Sequence, residues 1–109
     1  MPHIDSTVVI RASMPRVFDL ISRPQEFAGC SQHVLHIVPF GKNKYHWELD
    51  AAGVTVGWDS VTTEYRRPEH LAWRSITGIE NSGSYTLEQT RQGTVLTFEM
   101  DYHLPSKAL

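Results

Sequence analysis

Six histidines give this sequence side chains of the type that binds metal ions. His33 and His36 are three residues apart, and on a strand that spacing turns them to opposite faces, so they cannot converge on one ion. His46 shares a face with Glu48 and Asp50, but strand alternation predicts that this face lies in water. None of these spacings matches the ligand set of a known zinc site. We therefore expect no metal site, with the histidines on the surface or filling gaps.

Two further groups with reactive side chains are also predicted to be structural. The lone Cys30 follows a predicted helix end and has no cluster of cations near it in sequence, so a reactive thiolate is not expected. The run Asn81-Ser82-Gly83 resembles a turn, because Asn and Gly tolerate positive φ and Ser82 lacks the strand-to-helix setting of a nucleophile. The sequence contains no dinucleotide fingerprint or phosphate-binding loop, so we expect no cofactor.

Aromatic residues provide the strongest functional pattern. Seven of the eleven fall on one face when each predicted strand is read with period-2 alternation. They and Ser75 form the set of candidate ligand-binding residues: Tyr45, Trp47, Trp58, Trp73, Ser75, Tyr85, Phe98 and Tyr102. A curved sheet lined with large, partly polar rings suits an apolar or aromatic ligand with a few polar groups.

The alternative is that these rings pack a closed core, as aromatic residues do in many small domains. Two features favour a cavity. Three Trp and three Tyr on this face carry polar ring atoms that each need a hydrogen-bond partner when buried, which makes them a costly filling for a closed interior. Strands of about ten residues also curve a sheet into a trough that short helices cannot cover.

Seven strands and two short helices are predicted to position the rings. The first strand spans 4–11; Ser13 caps a helix that ends near Ser22, and Pro24 begins a second short helix that Gly29 closes in the left-handed conformation. Turn residues then separate six strands at about 34–40, 44–52, 54–65, 70–77, 84–90 and 94–104. Their short connections favour antiparallel neighbours. The expected fold class is α+β.

Length and charge narrow the possibilities further. A chain of 109 residues forms a single domain, 1–109, and a formal net charge of −2 makes nucleic acid an unlikely primary partner. No apolar stretch approaches the ~20 residues that span a bilayer, and the N-terminus has no signal-peptide pattern. With only one cysteine, the sequence predicts a cytoplasmic protein.

Several of these residues carry a family resemblance. The opening from Ile10 to Ile21, with Ser13-Met14-Pro15 before Val17-Phe18, is similar to a strand-to-helix opening in the START-like superfamily of polyketide cyclases/dehydrases and coenzyme Q-binding proteins. Further positions resemble the same family: the run Leu71-Ala72-Trp73-Arg74-Ser75, Gly78, the run Asn81-Ser82-Gly83, the run Gly93-Thr94-Val95, Tyr102 and Pro105. The resemblance covers nearly the whole chain.

The resemblance implies a helix-grip fold, in which a seven-stranded antiparallel sheet curls around a long C-terminal helix and leaves a cavity for a hydrophobic molecule. That helix is missing from this chain, which stops where it should begin, with Ser106 as its N-cap. Without that helix, the apolar face of the curled sheet would be open to solvent. We therefore expect a truncated form of a longer protein, or a second chain, such as a homodimer partner, over the trough.

The implied function is cofactor-free binding of a lipid, quinone or polyketide, with catalytic residues unknown. One alternative is a polyketide aromatase/cyclase that closes and dehydrates rings, and another is a toxin-like module that binds a macromolecular partner. The family's cyclases polarise carbonyl groups with Arg, Tyr and Ser. Arg74 alternates with Trp73 and Ser75, so we expect it on the wet face in a structural role, paired with Glu88, Glu99 or Asp101.

Overall fold

The computed structural model describes residues 2–26, 28–30 and 32–104. This part of the chain has one α-helix, α1 (Met14–Ile21), and two 3₁₀ turns, Pro24–Glu26 and Ala28–Cys30. The strands are β1 (His3–Ile10), β2 (Val34–Phe40), β3 (Lys44–Ala51), β4 (Val54–Arg66), β5 (His70–Gly78), β6 (Glu80–Thr90) and β7 (Gly93–His103). None of the helices among these residues is long and apolar enough to cross a membrane.

All seven strands form one antiparallel sheet in the order β1-β7-β6-β5-β4-β3-β2. Strands β2 to β7 are a meander, and β1 pairs with β7 at the far edge. The sheet is curled. Its concave face carries most of the aromatic side chains of the strands, and its convex face carries most of the charged ones. The predicted α+β class with a curved, seven-stranded antiparallel sheet is confirmed.

Two predicted details differ from the structure. Strand β6 begins at Glu80, so Asn81, Ser82 and Gly83 lie within a strand and the predicted turn there is wrong. The second short helix is two 3₁₀ turns, and Gly29 lies inside the second of them instead of closing a helix. The expected C-terminal helix, with Ser106 as its N-cap, lies outside the described residues, as does the Cys30 side chain.

Helix α1 supplies the centre of the core. Its N-cap Ser13 accepts a hydrogen bond from the backbone N–H of Arg16 at 3.4 Å, as predicted, and Pro15 occupies its first turn. The buried side chains of α1 then pack on strands β5, β6 and β7, where the core cluster comprises Val17, Phe18, Ile21, Leu71, Leu87 and Leu96. The core therefore sits at the end of the sheet that α1 covers.

A salt bridge and a ring contact hold α1 on the sheet. The Arg67 guanidinium donates to both carboxylate oxygens of Asp19, at 2.8 and 3.0 Å. This bidentate pairing holds the pKa of Asp19 below its usual value. Next to it, the Phe18 ring meets the Tyr65 ring edge-on, with centroids 5.1 Å apart. These contacts fix the helix end that borders the aromatic face.

The convex face carries a polar network on β3 and β4, the strands whose concave side carries Trp47 and Trp58. His46 and Asp59 are cross-strand partners on β3 and β4, with His46 Nδ1 2.6 Å from Asp59 Oδ1. Asp59 Oδ2 also accepts from the Thr77 hydroxyl at 2.9 Å, and His46 Nε2 lies 3.4 Å from Glu48. Among the described residues, no group of three or more His, Cys, Asp or Glu side chains is placed to hold a metal ion.

Removing the Phe18 ring should cost more stability than any exposed change on the same helix. Phe18 is fully buried, so Phe18→Ala should lower the free energy of unfolding by about 3–5 kcal/mol. Leu20→Ala is the matched control, because Leu20 is 46% exposed and its loss should cost about 0.5 kcal/mol or less. Urea unfolding measures both, and equal losses would contradict this account of the core.

The His46–Asp59 pair predicts a pH dependence of stability. The hydrogen bond with Asp59, followed by that with Glu48, raises the pKa of His46 above 6.5, so its contribution is complete below 6.5 and is lost as pH rises through the raised value. The pKa of Asp59 is lowered from 3.8, chiefly by His46, so the carboxylate's contribution is lost only as pH falls through that lowered value.

Between about pH 6 and pH 8, the wild type should therefore lose up to ~1 kcal/mol more unfolding free energy than His46→Gln does. The effect stays small because the His46 side chain is 43% exposed and solvent screens the pair. Urea unfolding of both proteins at the two pH values measures the difference. The same pH dependence in both proteins would show that the His46–Asp59 pair contributes nothing to the unfolding free energy.

Candidate functional site

A cavity of about 240 Å³ opens on the concave face of the sheet, beside the core. The C-terminal end of α1 and the first 3₁₀ turn form one side of it, and strands β2 to β7 form the rest. Its lining comprises Ile21, Ser22, Pro24, Val34, Tyr45, Trp47, Leu49, Trp58, Ser60, Thr62, Leu71, Trp73, Asn81, Tyr85, Phe98 and Met100. Every one of these side chains is uncharged at neutral pH.

Rings from five consecutive strands form the aromatic wall of the cavity. On β3 and β4, Trp47 and Trp58 are cross-strand partners and stack with centroids 5.5 Å apart and planes 9° from parallel. On β5 to β7, Trp73, Tyr85 and Phe98 contact one another with centroid distances of 5.3, 5.4 and 5.9 Å. All three tryptophans of the chain belong to this wall.

Gly83 determines where the Trp73 ring can lie. Gly83 and Trp73 are cross-strand partners, and a Cβ at position 83 would come within 2.7 Å of Trp73 Cζ2 and Cη2. It would also clash with the backbone oxygen of Glu99 on the other neighbouring strand. The absence of a side chain at Gly83 therefore lets the Trp73 ring pack directly over the β6 backbone.

Hydrogen bonds to neighbouring residues hold three of the polar rings in place. Trp47 Nε1 donates to Ser60 Oγ and Trp73 Nε1 donates to Asn81 Oδ1, both at 3.0 Å. The Tyr45 hydroxyl donates to the Ser22 backbone oxygen, also at 3.0 Å, and so ties β3 to the end of α1. Because these donors are paired within the protein, the faces of their rings are what remains for a ligand.

Two other polar ring atoms lack such partners. The hydroxyl of Tyr85 makes no hydrogen bond within the described part of the chain, and burial raises the pKa of this phenol to about 12. The indole nitrogen of Trp58 is buried and likewise has no acceptor among the described residues. A buried donor left without an acceptor costs about 1–3 kcal/mol, so the Trp58 indole favours an occupant that carries oxygen. The Tyr85 hydroxyl is a second donor that such an occupant can engage.

The cavity brings together six of the eight residues predicted from the sequence. Ser75 does not line it, and its hydroxyl accepts a hydrogen bond from the backbone N–H of Asn81 at 3.0 Å. Tyr102 does not line it either, although it pairs with Asn81 across β6 and β7. The six that do line it are Tyr45, Trp47, Trp58, Trp73, Tyr85 and Phe98.

Asn81 is the main lining residue that the sequence pattern missed. It is 5% exposed, and its amide accepts from Trp73 and donates to the Ile79 backbone oxygen at 3.0 Å. Its position two residues before Gly83 and four before Tyr85 continues the β6 alternation, which is the signal that identifies it. Ser60 and Thr62 continue the alternation of Trp58 in the same way.

Arg74 lies on the solvent-exposed face of the sheet, as predicted. It is exposed, and it is absent from the cavity lining. Among the described residues, however, no ion pair joins it to Glu88, Glu99 or Asp101, so the expected cross-strand pairing is not seen. Arg74 therefore has no contact with the cavity through which it could polarise a bound molecule.

Comparison with known proteins identifies the family of this chain. The family model described as polyketide cyclase / dehydrase and lipid transport matches residues 1–109. No curated protein sequence matches the chain closely enough to serve as a relative.

Solved structures at low sequence identity share the fold. DR_A0006 from Deinococcus radiodurans superposes with a TM-score of 0.81 at 21% identity, covering 100% of this chain and 88% of that one. A START superfamily protein from Mycobacterium smegmatis gives 0.81 at 10% identity, with 94% and 79% covered. The Zhui aromatase/cyclase from a Streptomyces species gives 0.72 at 18% identity, with 97% and 71% covered. With a START-like fold and a family match over its full length, the chain belongs to the polyketide cyclase / dehydrase and lipid transport family, as the resemblance predicted.

Proposed function

We propose that this protein binds an apolar, ring-bearing small molecule in the cavity of its concave face, without a cofactor. The observation that carries the proposal is the composition of the cavity wall, which is uncharged and built from tryptophan, tyrosine and phenylalanine rings on five strands. Such a wall offers stacking surfaces and a few fixed polar groups, the usual composition of a site for an apolar ligand.

The way the rings are held supports binding. Ser60, Asn81 and the Ser22 backbone oxygen each satisfy a polar ring atom, so the wall keeps its shape before a ligand arrives. A preformed wall reduces the ordering cost of association. The six predicted residues that line the cavity are the proposed ligand contacts; Ser75 would act through Asn81, and Tyr102 would support the β6–β7 pairing.

Binding is better supported than catalysis. A general acid or base works best when its pKa lies near the operating pH. Burial raises the pKa values of Tyr45 and Tyr85 above the ordinary value of 10.0, to about 12 for Tyr85, and so moves the two phenols of the cavity further from that range. The cyclase alternative makes a separate prediction, that a reactive poly-β-ketone cyclises faster with this protein than without it.

Ligand binding should be measurable through tryptophan fluorescence, because all three tryptophans line the cavity. A panel of quinones, lipids and aromatic polyketides should include compounds that quench this signal saturably. Trp58→Ala should weaken binding of such a compound by roughly tenfold or more, since it removes half of a stacked pair.

Val54→Ala is the matched control on the same strand, because Val54 is 47% exposed and does not line the cavity. It should leave the affinity unchanged. If the folded wild-type protein binds no member of the panel, the proposed function is wrong.

Gly83→Ala should both destabilise the sheet and weaken binding. The added Cβ meets the Trp73 ring and the Glu99 backbone, so we expect a loss of about 1–3 kcal/mol in unfolding free energy and a displaced Trp73 ring. Gly29→Ala is the control, because a Cβ there has no atom within 4 Å. Urea unfolding and ligand titration of both variants test this prediction. Unchanged affinity in folded Gly83→Ala would show that Trp73 does not contact the ligand.

The remaining expectations stay predictions. They are a cytoplasmic location, a homodimer that covers the concave face, and the toxin-like interaction module as an alternative role.

A further inference from the structure

The Tyr85 hydroxyl differs from the other phenol in the cavity. The Tyr45 hydroxyl is already engaged with the Ser22 backbone oxygen, whereas that of Tyr85 makes no hydrogen bond within the described residues. Contacts with Trp73 and Phe98, at 5.3 and 5.4 Å between centroids, hold the Tyr85 ring in position. The hydroxyl is therefore a positioned polar group that has no assigned partner in the protein.

The protonation state of this phenol defines what it can recognise. Burial raises the pKa of Tyr85 to about 12, so the hydroxyl keeps its proton at neutral pH. A protonated phenol in an apolar wall gains most from an oxygen that accepts its hydrogen bond. The Thr62 hydroxyl also lacks a partner among the described residues, but it rotates freely about one bond, so it is a less directional group.

The charge distribution restricts the ligand further. The lining contains no Lys, Arg or His among the described residues, and the histidine and carboxylate pairs lie on the convex face instead. A carboxylate in this cavity would lose its hydration without meeting a cation, which is costly in an apolar environment. A neutral oxygen has no such cost.

We infer that Tyr85 is a specificity-determining residue, and that it makes the cavity select an uncharged ring-bearing ligand with a hydrogen-bond-accepting oxygen over a carboxylate of the same shape. This inference rests on the proposed function, since it concerns the ligand of the same cavity. The preferred chemical class is an aromatic ketone or a related neutral carbonyl compound. Free aromatic or fatty acids are disfavoured.

Three probes of similar shape separate these requirements: 2-acetylnaphthalene carries a neutral acceptor, 2-ethylnaphthalene carries none, and 2-naphthoate is charged. Calorimetric titration of the wild type should give the acetyl compound about three- to tenfold tighter binding than the ethyl compound. The naphthoate should bind at least ~10-fold more weakly than the acetyl compound. Tyr85→Phe should lower the acetyl-to-ethyl affinity ratio at least about twofold, with the Trp58 indole N–H as the remaining unpaired ring donor, while the ethyl compound still binds.

Tyr45→Phe is the matched control inside the cavity. It removes a hydroxyl that is already engaged with Ser22, so the acetyl-to-ethyl ratio should persist whatever happens to the overall affinity. Equal wild-type affinities for these two probes, an unchanged ratio in Tyr85→Phe, or naphthoate binding as tight as the acetyl compound would each overturn the inference while leaving the proposed function intact. If no probe binds the folded wild type, the inference fails, and the panel of quinones, lipids and aromatic polyketides decides separately whether the proposed function stands.

Discussion

The packing of Trp73 over Gly83 is the contact on which the shape of the cavity depends. Trp73 projects from β5, and the space above the β6 backbone is open to its ring only because position 83 has no side chain. From there the ring reaches Tyr85 and Phe98 on the next strands. A larger residue at position 83 would force the ring outward, so one glycine controls the arrangement of three aromatic side chains.

The indole nitrogens of Trp47 and Trp73 are paired within the protein, which keeps their part of the wall rigid and apolar. An unpaired buried indole or phenol would favour water in the cavity or a rearranged wall. Ser60 and Asn81 remove that tendency for Trp47 and Trp73, and both are themselves buried, with 3% and 5% exposure. Each small polar residue thus fixes the orientation of one large ring, and the ring faces are left for contact with an apolar molecule.

Alternation made much of this architecture predictable from the sequence. Because side chains on a strand alternate between faces, the rings of β3, β4 and β5 could be assigned to one side before any strand pairing was known. The seven strands followed from turn residues such as Gly41, Gly53 and Gly93, which adopt positive φ in the structure. The N-cap of α1 at Ser13 followed from local chemistry in the same way.

The start of β6 could not be predicted this way, because its cause is not local. Asn81, Ser82 and Gly83 have the composition of a turn, yet they pair along their length with Tyr102, Asp101 and Met100 on β7. The β4–β5 register also shifts near Asp59 and again between Thr62 and Glu64, which interrupts simple alternation. Both features depend on residues that are distant in sequence, and a single sequence does not reveal which of those residues meet.

The separation of charge between the two faces of the sheet bears on how the protein works. On adjacent positions of β3 and β4, His46 and Asp59 face outward as a hydrogen-bonded pair, while Trp47 and Trp58 face inward as a stacked pair. The same two strands therefore keep titratable groups in water, where hydration is retained, and leave the cavity with groups that stay neutral across the physiological range. A wall of this kind distinguishes molecules by shape, ring surface and the placement of neutral oxygen, and its own charge does not change as the pH passes through neutrality. For a binding protein this is an advantage, because its affinity for a neutral ligand does not vary with pH through the titration of its own wall.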